Sequence, residues 1–312
     1  TVTLLVCALV LSIAPITTIG FALVAMLLLA VPASELGVAV VNKLVTLIVP
    51  PQLLPKMDFH EDGIPNYART VVVVPTLLAT VAGVREALEH LEVQYLANPD
   101  ANLHFVVLSD FTDAKTETLA VDAHVIEAIE RGVEGLNAKY KRSADRGPFL
   151  IFHRARKCNP TEGVWMGWER KRGKLAEFNR FLRGVATDAF PVIAGDPSWL
   201  VDVRYVITLD SDTVLPRGAA AQLVGTMAHP LNSAEYDEVR GRVTRGYGIL
   251  QPRVGVALTS AYRSKFAAIH SGHPGVDPYT TAVSDVYQDL YGEGSFTGKG
   301  IYEVSVLHQL LE

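Results

Sequence analysis

From Thr1 to Ser34 the chain contains no Asp, Glu, Lys, Arg or His, and Glu35 is its first charged residue. No ordinary globular surface tolerates such a run. As one straight helix it would extend roughly 50 Å, beyond the ~30 Å hydrocarbon core of a bilayer. Pro15 falls in its middle. The pattern predicts the tail of one transmembrane helix (about Val2 to Ile13), a short bend, and a second helix from about Ile16 to Val31, with one long tilted span as the alternative. A cleaved secretory signal fits poorly, because the run is too long and has neither a basic n-region nor an initiator Met. A chain opening on Thr inside an apolar segment reads as truncated.

Residues 35–49 are interrupted only by Glu35, Asn42 and Lys43 before Pro50, Pro51 and Pro55 stop any helix. That length is short for a crossing and suits an interfacial helix on the lipid surface. The expected organisation is therefore residues 1–33 in the membrane, 34–68 as interfacial helix and proline-rich linker, and 69–312 as a globular domain. Lys43 and Lys56 give a weak positive-inside signal for a cytoplasmic domain. Cys7 and Cys158 are the only cysteines, so no internal disulfide is expected. The net charge of −5 supplies no basic field for nucleic acid.

Beyond the linker, apolar strands alternate with helices. Arg69 to Pro75 is a continuous β-branched run, as in a strand buried on both faces. Val81 to Ala97 carries apolar residues at helical spacing and ends at Asn98-Pro99. A strand at Leu103–Leu108, a helix from about Thr116 to Tyr140 and strands at Phe149–His153 and Arg204–Leu209 follow. Such alternation predicts an α/β fold with a mostly parallel, Rossmann-like sheet and flanking helices, ligands lying at the carboxyl ends of the strands. Thr76, Asp110, Asp210 and Asp212 all fall at such ends.

The last of these strands ends in Asp210-Ser211-Asp212, two carboxylates delivered at a buried tip. That oxygen-rich pair suits Mg²⁺ or Mn²⁺ carrying a phosphorylated ligand. Asp-x-Asp is found in nucleotide-sugar glycosyltransferases and also in aspartate-nucleophile phosphatases, and a plain polar turn has the same look. The phosphatase needs a downstream strand carrying another acidic pair, whereas the next strand candidate, Gly248 to Gln251, runs into Pro252-Arg253. Neither a Gly-x-Gly-x-x-Gly nor a Walker loop is present, so a nucleotide would be held by carboxylates and metal.

Two further blocks are dense. Trp165 to Asn179 places two tryptophans beside basic residues, and Lys174 and Asn179 are expected near the start of an amphipathic helix whose N-terminus faces a diphosphate, or else on a solvated charged face. Gly292 to Tyr302 has four glycines in nine residues interleaved with aromatics, which lets backbone approach a sugar. Glu293 there is an acid/base candidate or an ion-pair partner of Lys299. His270 and His273 lack a third ligand and suit ordinary polar contacts better than a metal.

Together the blocks Arg69–Leu78, Leu108–Ala114, Trp165–Leu175, Ile207–Thr213, Gly246–Val254 and Gly292–Tyr302 resemble the glycosyltransferase family 84 domain of bacterial cyclic β-1,2-glucan synthases. The resemblance implies a GT-A fold, UDP-glucose as donor, a divalent cation, inverting transfer to a β-1,2-glucan acceptor, and a multi-pass inner-membrane protein with a cytoplasmic transferase. It implies Thr76 and Asp110 beside the uridine, Lys174 as a donor contact, Asp210 and Asp212 as metal and diphosphate ligands, and Gly294, Ser295, Phe296 and Gly298 lining the acceptor. Family members carry a further Ser-His-Asp segment and an Arg-Trp motif after the glycine-rich block, which this sequence does not contain. That departure leaves Glu293 as the resident candidate for the base and a non-catalytic nucleotide-sugar-binding module as the alternative function.

The uncharged run makes its own prediction. Alkaline carbonate washing should leave the chain in the membrane pellet; release into the supernatant would show the run to be a core or peripheral helix.

Overall fold

The structure, a computed structural model, describes residues 2–13, 19–48, 53–141, 147–185, 188–252, 254, 264–265, 296 and 298–311. They fall into two compact units, residues 54–252 with 296–312 forming the larger one.

In the smaller unit, α1 (Val2–Ile13) packs on α2 (Ile19–Ile48). Thr3 lies against Gly37, where an added Cβ would sit 2.9 Å from the threonine hydroxyl. Cys7 and Ala33 are buried, while Leu5, Leu27, Leu28 and Val31 are exposed. Within α2, Ile19–Val38 is long and apolar enough to cross a membrane. The break expected after Val31 is absent. α2 runs on for 30 residues with Pro32 inside it, so Glu35 to Ile48 continue the same helix instead of starting another. Proline forfeits one helical hydrogen bond, but the leucines and alanines around Pro32 favour the helix.

The larger unit is built on β1 (Thr70–Leu77), β2 (Leu103–Asp110), β3 (Phe149–Arg154) and β7 (Tyr205–Thr208), with α3 (Val81–Ala97) and α4 (Asp122–Lys139) joining the first three strands. β1 pairs in parallel with both β2 and β7, and β2 in parallel with β3. The chain therefore steps outward from β1 to β3, then returns to β1's other side. The aspartate-bearing strand, expected as the fourth, is the seventh in chain order. Between come the hairpin β4 (Lys157–Asn159) and β5 (Val164–Met166), then α5 (Arg170–Leu182) and β6 (Val192–Ala194), which closes one edge antiparallel to β3. At the other edge β11 (Gly300–Glu303) lies antiparallel to β7, and β10 (Ile249–Leu250) antiparallel to β11. α6 (Ala219–Ala228), the hairpin of β8 (Glu235–Asp237) and β9 (Arg242–Arg245), and α7 (Val304–Leu311) complete the unit.

Strand alternation divides the core between two faces. Val72, Val74, Phe105, Val107 and Ile207 pack with Leu88, Val125, Ile129 and Val224 of α3, α4 and α6. Val71, Val73, Val106, Leu108 and Val206 face Phe178 and Leu182 of α5. α3 starts where the Thr80 side chain accepts a hydrogen bond from the Gly83 amide at 3.0 Å.

α4 starts six residues later than its pattern suggests, because Arg156 captures the preceding loop. Its guanidinium donates to the carbonyls of Thr112 (2.7 Å) and Glu117 (3.2 Å) and forks onto Asp122 at 2.6 and 3.2 Å. The Glu117 carbonyl is thereby withdrawn from helical pairing, and Asp122 marks the first turn.

Phe152 is fully buried among Phe178, Phe181 and Phe190, with ring centroids 5.0–5.2 Å away. Phe152→Ala should cost about 3–5 kcal/mol, read as a lowered urea midpoint at unchanged m-value. Phe152→Leu should cost less.

Candidate functional site

The carboxyl ends of β1, β2, β3 and β7 form one polar edge. Register sets Asp110 between Leu77 of β1 and Arg154 of β3, with Thr76 opposite Ser109. The Asp110 carboxylate is buried, as are the two cations it meets. Arg154 binds it bidentately, Nε to Oδ1 at 2.6 Å and Nη2 to Oδ2 at 3.0 Å. Lys174 Nζ reaches Oδ2 at 2.8 Å and donates to the Thr76 carbonyl at 2.7 Å. Burial pulls the Lys174 ammonium below its ordinary pKa, opposed by Asp110.

This packing constrains the chain that leads into α5. A Cβ on Gly167 would lie 2.4 Å from the Asp110 carboxyl carbon. Just beyond, Glu169 and Arg170 adopt left-handed backbone, with φ of 50° and 48°. The Arg170 carbonyl then accepts from Arg154 Nη2 at 3.1 Å. The first turn of α5 is thus fixed across the strand tips.

One helical turn before Lys174, Lys171 bonds Asp210 Oδ1, and Lys299 reaches the other carboxylate oxygen at 3.0 Å. The Gly298 carbonyl accepts from Lys171 at 3.1 Å and from the Thr208 hydroxyl at 3.3 Å. Gly298 has φ +89°, and a Cβ there would come 3.0 Å from Lys171 Nζ. Burial raises the Asp210 carboxyl, but the two ammonium groups outweigh it and hold the pKa below the usual range. Asp212 is exposed and accepts from the Thr213 hydroxyl at 3.4 Å.

Among the described residues no three His, Cys, Asp or Glu side chains are grouped to hold a metal. Two strand-tip carboxylates nevertheless fit a hard divalent ion that takes one or two protein oxygens and completes its shell with phosphate and water. The donor chemistry of Asp210 and Asp212 is compatible with such a cation.

Of the residues singled out by sequence, Thr76, Asp110 and Lys174 come together, and Asp210 meets Gly298 through Lys171. Phe296 is exposed. Glu293, Gly294, Ser295, His270 and His273 lie outside the described residues. Asn179 is a correction: it sits in the second half of α5 and is buried, because the helix begins at Arg170. Lys299, considered as a partner for Glu293, pairs with Asp210. Arg154, Lys171 and Lys299 were not foreseen in these pairings. Their signal was position alone: a cation closing an apolar strand, and two cations within blocks already recognised as dense.

His153 lies beside this network. It shares a 2.8 Å hydrogen bond between Nδ1 and the Ser109 hydroxyl and meets Phe111 edge-on at 4.1 Å. Burial pushes its imidazole down to about 4, with Asp110 opposing. The folded chain holds it neutral while the unfolded chain protonates it near pH ~6.5. Stability is therefore full above that value and lost as the pH falls toward 4, at up to about 1.4 kcal/mol per pH unit. The lowered carboxyls of Asp122 and Asp210 add stability that disappears only at more acidic pH. In urea titrations of detergent-solubilised chain, His153→Asn should flatten the pH 6.5–4 segment and leave the acid limb below it.

No protein-family model matches the chain. It is 45% identical over 294 residues to the curated "Cyclic beta-(1,2)-glucan synthase NdvB" of Rhizobium meliloti (strain 1021). The match covers 94% of this chain and 10% of that protein, so the chain spans about one-tenth of the relative's length. At that identity over nearly all its residues, the chain is related to a segment of a cyclic β-(1,2)-glucan synthase, the family its motifs resemble.

Proposed function

We propose that the chain forms the donor-binding part of a membrane-associated, GT-A-type glucosyltransferase that uses UDP-glucose to extend a β-1,2-glucan with inversion. The observation that carries this reading is the return of the chain to β1: it sets the tip of β7, with Asp210 and Asp212, beside the tips of β1 and β2. Ligands of open α/β sheets bind at such reversals. The similarity to a glucan synthase supports the sugar chemistry, and the apolar α2 supports attachment to lipid.

In this reading Asp210 and Asp212 hold a divalent cation. A bound cation would offset negative charge on the departing nucleoside diphosphate. Lys171 and Lys299 stand within reach of the same diphosphate, while Lys174 and Arg154 fix Asp110 beneath the uridine side. Gly298, the exposed Phe296, Gly294 and Ser295 are the proposed acceptor-binding residues, and Glu293 is the resident carboxylate proposed to take the acceptor proton. The transferase faces the cytoplasm from a multi-pass inner-membrane protein.

Calorimetric titration of UDP into the detergent-solubilised chain should show binding that requires Mn²⁺. Asp212→Ala should weaken it at least about tenfold, equivalent to ~1.4 kcal/mol. Unchanged affinity in that variant, or equal binding without metal, overturns the donor-site reading. Metal-dependent UDP binding without glucose transfer from UDP-glucose would instead favour a binding module.

A further inference from the structure

Two lysines one turn apart on α5 serve two strand-tip aspartates, and their settings differ. Lys174 is sealed on Asp110, its side chain 3% exposed. Lys171 is 36% exposed and Lys299 21%, and together they engage both oxygens of Asp210. Asp210 is therefore already neutralised from within the chain, by ammonium groups that solvent reaches and flexible stems can carry away.

We infer that Lys171 and Lys299 are a built-in counter-charge occupying the cation position of Asp210, and that a nucleoside diphosphate draws them off as a divalent cation takes their place. This rests on the donor-site reading above. A divalent cation must take oxygens that the lysines now hold, and its charge repels both of them. Alone, it costs both ammonium groups their Asp210 carboxylate partner. A diphosphate arriving with the cation gives both lysines anionic oxygens, so the exchange conserves local charge balance. Diphosphate alone would have to pull the lysines from Asp210 and leave that carboxylate bare. Cation and diphosphate consequently favour each other, and the coupling is reciprocal by linkage. The lysines also make the site selective: a cation without a phosphorylated partner is refused.

Direct contact between cation and phosphate would couple the two ligands in any site, so the discriminating measurement is the cation alone. Mn²⁺ binding to the full chain, followed by electron paramagnetic resonance of free Mn²⁺ without nucleotide, should tighten about tenfold in Lys171→Met/Lys299→Met. UDP binding in saturating Mn²⁺ should weaken by a similar factor in the same variant. Lys171→Arg, which retains the charge, should keep Mn²⁺ alone weak and reports on general damage to the fold. If the wild-type chain binds UDP only with Mn²⁺ but the double Met variant binds Mn²⁺ alone no better, the counter-charge idea is wrong and the donor site stands. If the wild-type chain binds no UDP with Mn²⁺, the donor site itself fails, and this inference with it.

Discussion

The buried Asp110 carboxylate, gripped by Arg154 from β3 and Lys174 from α5, is the contact on which the rest of the site depends. Charges removed from water this far are costly unless each is paired and hydrogen-bonded. Here both carboxylate oxygens, the guanidinium fork and the ammonium are all engaged. Removing one partner of such a pair typically costs about 3–5 kcal/mol, because the other charge is left uncompensated. The pairing also locates α5: with Lys174 tied to β2 and the Thr76 carbonyl, the preceding turn is held near the strand tips. Lys171 meets Asp210 as a consequence.

A second buried pair does the same for the loop after β2. Arg156 and Asp122 clamp residues 112–122 by four hydrogen bonds and by the stacking of the guanidinium over Phe111 at 4.6 Å. Arg154 closes β3 and Arg156 follows two residues later, so one strand end and its exit supply the anchors for both sides of the Asp110 tip. The polar edge is thus rigid at β2 and β3 and more open at β7, where Asp210 and Asp212 reach solvent.

Much of this fold was legible in the sequence where local pattern decides structure. The bounds of α3 followed from apolar spacing and Asn98-Pro99, the continuous β-branched run of β1 announced a strand covered on both faces, and the apolar segments of β2 and β3 were legible as strands. The antiparallel edges were not legible. β10 falls inside the foreseen strand candidate Gly248 to Gln251 but gave no sign of its pairing, β6 is only three residues long, too short to show periodicity, and β11 sits in a glycine-rich block that reads as loop. The unbroken α2 and the late start of α4 were decided by helix propensity around Pro32 and by a distant arginine. In the site the carboxylates were visible because strand tips are where ligands bind, but their lysine and arginine partners come from segments distant in sequence and are chosen only by packing.

Seen as a measuring device, α5 is a ruler laid across the sheet. Lys171 and Lys174 are separated by ~4.5 Å of helix rise, while β7 and β2 stand two strand spacings apart, ~9.6 Å. The lysine stems splay to make up the difference. One residue inserted between the two lysines would turn one of them about 100° around the helix axis. Both side chains would still be present, yet they could no longer address the tips of β7 and β2 at once. The spacing of these cations is therefore as much a part of the site as their charge, and length changes at this point in the chain are a different kind of injury from substitutions.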